Sequence, residues 1–142
     1  MSFLQNLEWR YATKKFNGET LPQDKVDTIL NAIRMAPTSY GLQPFHVTVI
    51  TDVALKAAIA PHAFNQAQIE SSSHLLVFSA RTDVDARIDA YAQLRTGGDA
   101  AKMEQIAGLV GMMKNFATML PDDTTRASWA ARQAYIALGF AM

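Results

Sequence analysis

Three cations fall within six residues at Arg10-Tyr11-Ala12-Thr13-Lys14-Lys15, and Phe16 follows them. Arginine offers a planar bidentate donor and lysine a point charge, a pair suited to a phosphate or a similar anion. If this segment is helical, Arg10 and Lys14 stand one turn apart and face one pocket. An ordinary solvated surface has the same composition, so residue type alone leaves both readings open. A second segment, Pro37-Thr38-Ser39-Tyr40-Gly41-Leu42-Gln43-Pro44, gathers hydroxyls, a glycine and an amide between two prolines. It can hydrogen-bond a polar ligand, although many helix-to-strand loops are built alike. Elsewhere reactive groups are sparse. His46, His62 and His74 lack metal-ligand spacing. Asp83, Asp85 and Asp89 read as a solvated helix start rather than a paired acid and base. Ser71-Ser72-Ser73 lacks the strand–elbow–helix setting of a hydrolase nucleophile. The absence of cysteine removes disulfides, thiolate metal sites and cysteine nucleophiles together. Hydrolysis by a triad or a metal is disfavoured, and a cofactor that brings its own reactivity fits better.

The elements that must position these residues follow from periodicity. With 142 residues, 49% apolar and 18% charged, the chain reads as one globular domain spanning 1–142. Thirteen basic residues balance thirteen acidic ones, so no basic field marks a nucleic-acid partner. Met1 to Phe16 shows no signal-peptide core, and the near-apolar run Ile106 to Met113 is far short of the ~20 residues of a membrane span. A cytoplasmic protein is expected. Thr20-Leu21-Pro22 opens a helix whose buried face is Val26, Ile29, Leu30 and Ile33, and which stops before Pro37. His46 to Thr51 reads as a strand, Asp52 to Ala60 as a short helix. The succession Leu75-Leu76-Val77-Phe78 within a strand from His74 to Ala80 predicts burial on both sheet faces. Asp83 to Leu94 is helical, and Gly97-Gly98 breaks it.

Asp99 caps a long helix reaching about Leu120. It carries two apolar stripes, Met103-Ile106-Val110-Met113-Ala117 and Leu109-Met112-Phe116-Met119. That face is wide for one neighbour, which points to a second chain. The last helix starts after Pro121 with Asp122 or Asp123 as cap, and Ala127 to Met142 reads as a central helix, apolar nearly all round. No capping residue follows Phe140-Ala141-Met142, so the sequence reads as incomplete at its C-terminus.

In this order the two reactive segments resemble the nitroreductase family of FMN-dependent, NAD(P)H-using enzymes. Arg10, Lys14 and Phe16 are similar to the family's Arg-x-x-x-Lys/Arg-x-Phe motif, and Ala36 to Phe45 to its Ala-Pro-Ser-Ser-x-x-x-Gln-Pro-Trp motif. Phe64-Asn65, the strand ending in Val77-Phe78, Phe116, and Trp129 with Gln133 and Tyr135 keep the family's order and approximate spacing. Ala12 and Gly41 depart from the Ser and Asn common at those places, and each removes a side-chain hydrogen bond. The family's later Pro-x-x-Gly turn, further strands and basic C-terminal segment have no counterpart here.

The resemblance implies an α+β nitroreductase-like fold, with an antiparallel or mixed sheet flanked by helices, long central and interface helices, and an obligate homodimer with flavin sites between subunits. It implies reduction of nitroaromatic or quinone-type acceptors by two-electron transfer from NADH or NADPH through FMN, with no catalytic side chain because the flavin carries the reaction. Arg10 would contact the FMN phosphate and Lys14 the N1/C2 carbonyl edge, in a cofactor-binding set with Tyr11, Ala12, Pro37, Thr38, Ser39, Tyr40, Gly41, Gln43, Asn65 and Gln133. Gln133 also needs a partner because it sits in an apolar helix. Thr38, Ser39, Tyr40 and Phe116 would line the pocket for a small aromatic acceptor, with Met112, Met113 and Met119 as an adaptable wall or as plain core. Two alternatives stand beside this: a flavin-fragmenting or dehalogenating reaction on the same fold, and a non-enzymatic dimer without stable flavin.

Overall fold

A computed structural model describes residues 2–142. Its helices are α1 (Phe3–Trp9), α2 (Gln23–Met35), α3 (Val53–Ile59), α4 (Ala67–Ser71), α5 (Val84–Thr96), α6 (Ala100–Thr118) and α7 (Asp123–Ala141). Two strands, β1 (Phe45–Ile50) and β2 (Leu75–Ala80), pair as a two-stranded antiparallel sheet. The architecture is α+β with helices outnumbering strands, as expected. The chain divides into two compact units, Met1–Gln23 with Val49–Val77, and Asp24–Thr48 with Phe78–Met142.

In the first unit, Ser2 caps α1 and forms a reciprocal capping box with Gln5. That helix ends at Trp9, and Arg10 is already extended at φ −66°, ψ 133°. Asp52 starts α3 by accepting from the Leu55 amide at 2.7 Å. A 3-10 turn over Ala60–Ala63, led by Pro61, then closes on two left-handed residues, Phe64 and Asn65. The serine triplet acts as a fastening for the exposed segment before α2. Ser71 Oγ accepts from the Phe16 amide at 3.0 Å and Ser73 Oγ from the Leu21 amide at 2.8 Å. Lys56 is buried and donates to the Ser72 carbonyl.

The second unit holds the main core. Leu42, Val84, Ile88, Met113, Ala117, Leu120, Trp129 and Ala130 cluster there, with Tyr91, Leu109, Val110 and Phe116 packed against them. On α2, Val26 and Ile33 are buried while Ile29 and Leu30 are half-buried, the face that its spacing predicts. Gly97 takes the left-handed C-cap of α5 at φ 62°, a conformation that favours glycine. Asp99 then caps α6 by accepting from the Lys102 amide at 2.9 Å. Asp122 caps α7 in a capping box with Thr125. Arg126 fastens the start of α7, donating to the Leu120 carbonyl at 3.0 Å and pairing with Asp85 at 3.0 Å.

Two expectations are corrected. The strand β2 is not buried on both faces: Val77, Ser79 and Ala80 are exposed and the rest half-buried. A two-stranded sheet has no interior strand, so an apolar run is not enough to enclose it. Helix α7 is not enclosed all round. It buries Trp129, Ala130, Gln133, Ala134 and Ala137, while Tyr135, Ile136 and Phe140 are exposed. On α6 the wide apolar face is partly covered: Leu109 and Phe116 of the second stripe pack against the core beside the first stripe. Met113 and Ala117 are buried, but Met112 is 58% and Met119 67% exposed.

Candidate functional site

The sequence-predicted residues divide between the two units. Arg10, Tyr11, Ala12, Lys14 and Asn65 belong to the first; Pro37 to Gln43, Phe116 and Gln133 belong to the second.

In the first unit, the basic segment is not helical. Because α1 stops at Trp9, the one-turn relation between Arg10 and Lys14 does not form. Arg10, Tyr11, Ala12 and Lys14 are all exposed. Among the described residues, Arg10, Lys14 and Lys15 enter no ion pair, since the three salt bridges involve Arg81, Lys114 and Arg126. An unpaired arginine and two lysines on non-helical backbone suit an anion better than an intramolecular carboxylate network. Asn65 is exposed with φ 51°, next to Phe64 at φ 57°, whose ring is 90% exposed. Non-glycine residues adopt this backbone at a cost, and two in succession hold the asparagine amide outward in a defined turn.

The loop of the second unit is built with more constraint. Ser39–Gly41 forms a single 3-10 turn, closed by the Gly41 amide on the Thr38 carbonyl at 2.8 Å. Tyr40 (φ 54°), Gly41 (φ 70°) and Gln43 (φ 45°) are all left-handed. Only Gly41 adopts that region freely. Side chains hold the others. The Gln43 amide donates to Thr38 Oγ1 at 3.1 Å, and Gln43 Nε2 donates to the Arg34 carbonyl at 2.8 Å. Arg87 Nε donates to the Leu42 carbonyl at 2.9 Å, and Leu42 itself is a core residue. Gln133 supplies the partner its burial demands by accepting from the Ser39 amide at 2.9 Å. Pro37 and Gly41 are exposed, and Thr38 and Ser39 half-buried.

Three rings stand in series beside this loop. Tyr40 and Phe116 have centroids 5.6 Å apart, and Phe116 and Trp129 5.4 Å, both in tilted geometry. Phe116 thus links the loop to the core, with Tyr40 the exposed end of the series. Of the methionines expected beside it, Met113 is core and cannot line a pocket, whereas Met112 and Met119 face outward. Arg87 escaped the sequence reading because a lone arginine on a helix carries no motif; its target is a backbone carbonyl 45 residues earlier. Among the described residues no group of His, Asp and Glu is placed to hold a metal.

The model of the Nitroreductase family matches residues 7–142, and the chain belongs to that family. It is similar to a Staphylococcus epidermidis protein named "Putative NAD(P)H nitroreductase", 27% identical over an alignment covering 96% of this chain. The chain spans 64% of that relative's length. Among solved structures it is similar to a Bacillus subtilis "putative nitroreductase", with TM-score 0.82 and 18% identity over 99% of this chain and 68% of that one. It is also similar to a "putative nitroreductase in complex with FMN" from Exiguobacterium sibiricum, with TM-score 0.76 and 20% identity over 100% of this chain and 68% of that one. These two likenesses establish the nitroreductase-like fold.

Proposed function

We propose that this protein is an FMN-dependent oxidoreductase that uses NADH or NADPH to reduce nitroaromatic or quinone-type acceptors. Residues 1–142 act in it as one nitroreductase-like domain of a cytoplasmic homodimer. The observation that carries the reading is the Thr38–Gln43 loop: a family motif held in a costly left-handed backbone by four side-chain hydrogen bonds. Such strain persists where the surroundings over-determine it, and it concentrates at ligand sites. The family and the FMN-bound fold neighbour supply the cofactor class.

The donor set fits FMN, which has an anionic phosphate at one end and amide and carbonyl groups along its ring edge. When bound, FMN supplies the two-electron hydride chemistry. Arg10 would hold the phosphate, with Tyr11 and Ala12 in the same non-helical segment. Lys14 would hold the N1/C2 carbonyl edge, where its positive charge would favour reduction of the ring. Asn65 offers its amide to the ribityl or ring. Thr38 and Ser39, contributed from the second subunit, would line the pocket over the ring, with Pro37, Tyr40, Gly41 and Gln43 in the same loop, and Tyr40 with Phe116 would form the apolar side of the acceptor pocket. The exposed stripe of Met112 and Met119 and the outer face of α7 suit burial against a second copy.

Titration of the purified protein with FMN, followed through the flavin absorbance bands, tests this reading. Bound flavin that bleaches with NADH or NADPH and recovers with a quinone supports it. Arg10→Ala should then weaken FMN by about ten- to a hundred-fold, the loss of one charge-assisted contact. Lys14→Met should lower the flavin potential. A protein that stays colourless with excess FMN points instead to a non-enzymatic helical dimer. Flavin bound but never bleached by NADH or NADPH points to storage or to a different flavin reaction.

A further inference from the structure

We propose that Gln133 is a positioning residue, acting on any bound molecule through Ser39 rather than by touching it, with Arg87 as its counterpart at the other end of the same turn. Gln133 sits on the buried face of α7 among Trp129, Ala130, Ala134 and Ala137, and is itself only 8% exposed. An amide in that setting loses its hydration and must be repaid by a protein partner. Its carbonyl oxygen is committed to the Ser39 amide at 2.9 Å, the residue that opens the turn. At the closing end, Arg87 Nε holds the Leu42 carbonyl at 2.9 Å. Between these two fastenings lie Tyr40 and Gly41, both left-handed. A turn carrying a left-handed tyrosine relaxes unless both ends are held. The two fastenings come from α7 and α5, so the direction of the Thr38 and Ser39 groups is set by helix packing rather than by the loop's own sequence.

The two halves of the Gln133 amide separate this role from a ligand contact. The loop uses Oε1. A contact to flavin would use Nε2, which has no hydrogen-bond partner among the described residues. Gln133→Glu keeps an acceptor for the Ser39 amide and removes the amide donor. Gln133→Met keeps the length and volume and removes the acceptor.

The decisive measurement is amide hydrogen exchange at Ser39 in the full chain without flavin. Gln133→Met should exchange about five-fold faster than the parent, the effect of one lost hydrogen bond, and Gln133→Glu should match the parent. Equal exchange in all three chains, or equal acceleration in both variants, overturns the proposal. Should Gln133→Met fail to fold, the temperature coefficient of the Ser39 amide proton in the parent decides. A small coefficient marks a hydrogen-bonded amide, and a large one refutes the fastening.

The second arm rests on the loop being part of the FMN pocket, and uses FMN itself as the probe. Gln133→Met should bind FMN more weakly than Gln133→Glu, which keeps the acceptor for the Ser39 amide. Equal loss in both variants would mean a direct amide contact and would overturn the proposal. If the parent binds no FMN, the functional reading fails, while the exchange measurement still decides the role of Gln133.

Discussion

Replacing Phe116 by alanine should cost far more than its half-buried position on α6 suggests. A fully buried Phe→Ala change costs ~3–5 kcal/mol, so half-burial alone accounts for roughly 2 kcal/mol. Phe116 also joins Tyr40 at 5.6 Å and Trp129 at 5.4 Å in tilted pairs. Such pairs are worth ~0.5–1.5 kcal/mol each beyond area, which brings the cost to at least about 3 kcal/mol. For a chain of this size that lowers the melting temperature by roughly 10 °C. The assay is thermal unfolding followed by tryptophan fluorescence in a Trp9→Phe background. Trp9 is 72% exposed and Trp129 6%, so the remaining signal belongs to the core. Phe116→Ala should also shift Trp129 emission to longer wavelength in the folded protein, because one ring face loses its cover. Phe116→Leu should recover the burial but not the ring pairs. A melting point within about 2 °C of the parent, with Trp129 emission unchanged, would refute the claim that Phe116 ties the loop to the core.

Three further outcomes follow from the same geometry. Met113→Ala, at a fully buried site, should destabilise by ~2–5 kcal/mol in denaturant unfolding, whereas Met112→Ala should leave monomer stability within about 0.5 kcal/mol and instead weaken self-association. Gly41→Asn should be tolerated, since a side chain there meets nothing within 4 Å and asparagine accepts φ near 70°, while Gly41→Val should cost on the order of 1–2 kcal/mol through backbone strain alone; equal stability of the two would remove strain as a factor. The Asp83 carboxyl is held below its ordinary value of 3.8, first by hydrogen bonding from Arg81. A depressed carboxylate stabilises above its unfolded value and loses that contribution as pH falls through the folded one. Both side chains are over a third exposed, so the effect is modest. Asp83→Asn should therefore be slightly less stable at pH 7 and equal to the parent in strong acid, and a gap that widens on acidification would reverse the assignment.

Local sequence alone determined most of the elements. Helical spacing found the buried face of α2, and proline and glycine marked where α2 and α5 end, because those residues restrict or free the backbone whatever surrounds them. Asp52, Asp99 and Asp122 marked helix starts for the same reason, a side-chain acceptor within reach of orphan amides. The loop at Pro37 to Pro44 was legible as a motif, and so was the family. Tertiary structure decided the rest. An apolar run such as Leu75 to Phe78 says that burial is wanted, not how many strands exist to provide it, and β2 has one neighbour. The two stripes of α6 look alike in sequence, yet Met113 and Ala117 of the first are buried while Met112 and Met119 of the second are exposed, since which positions are covered depends on where α5 and α7 lie. Gln133 announced that it needed a partner; that the partner is the Ser39 amide, 94 residues earlier, depends on chain reversal and packing that no local pattern encodes.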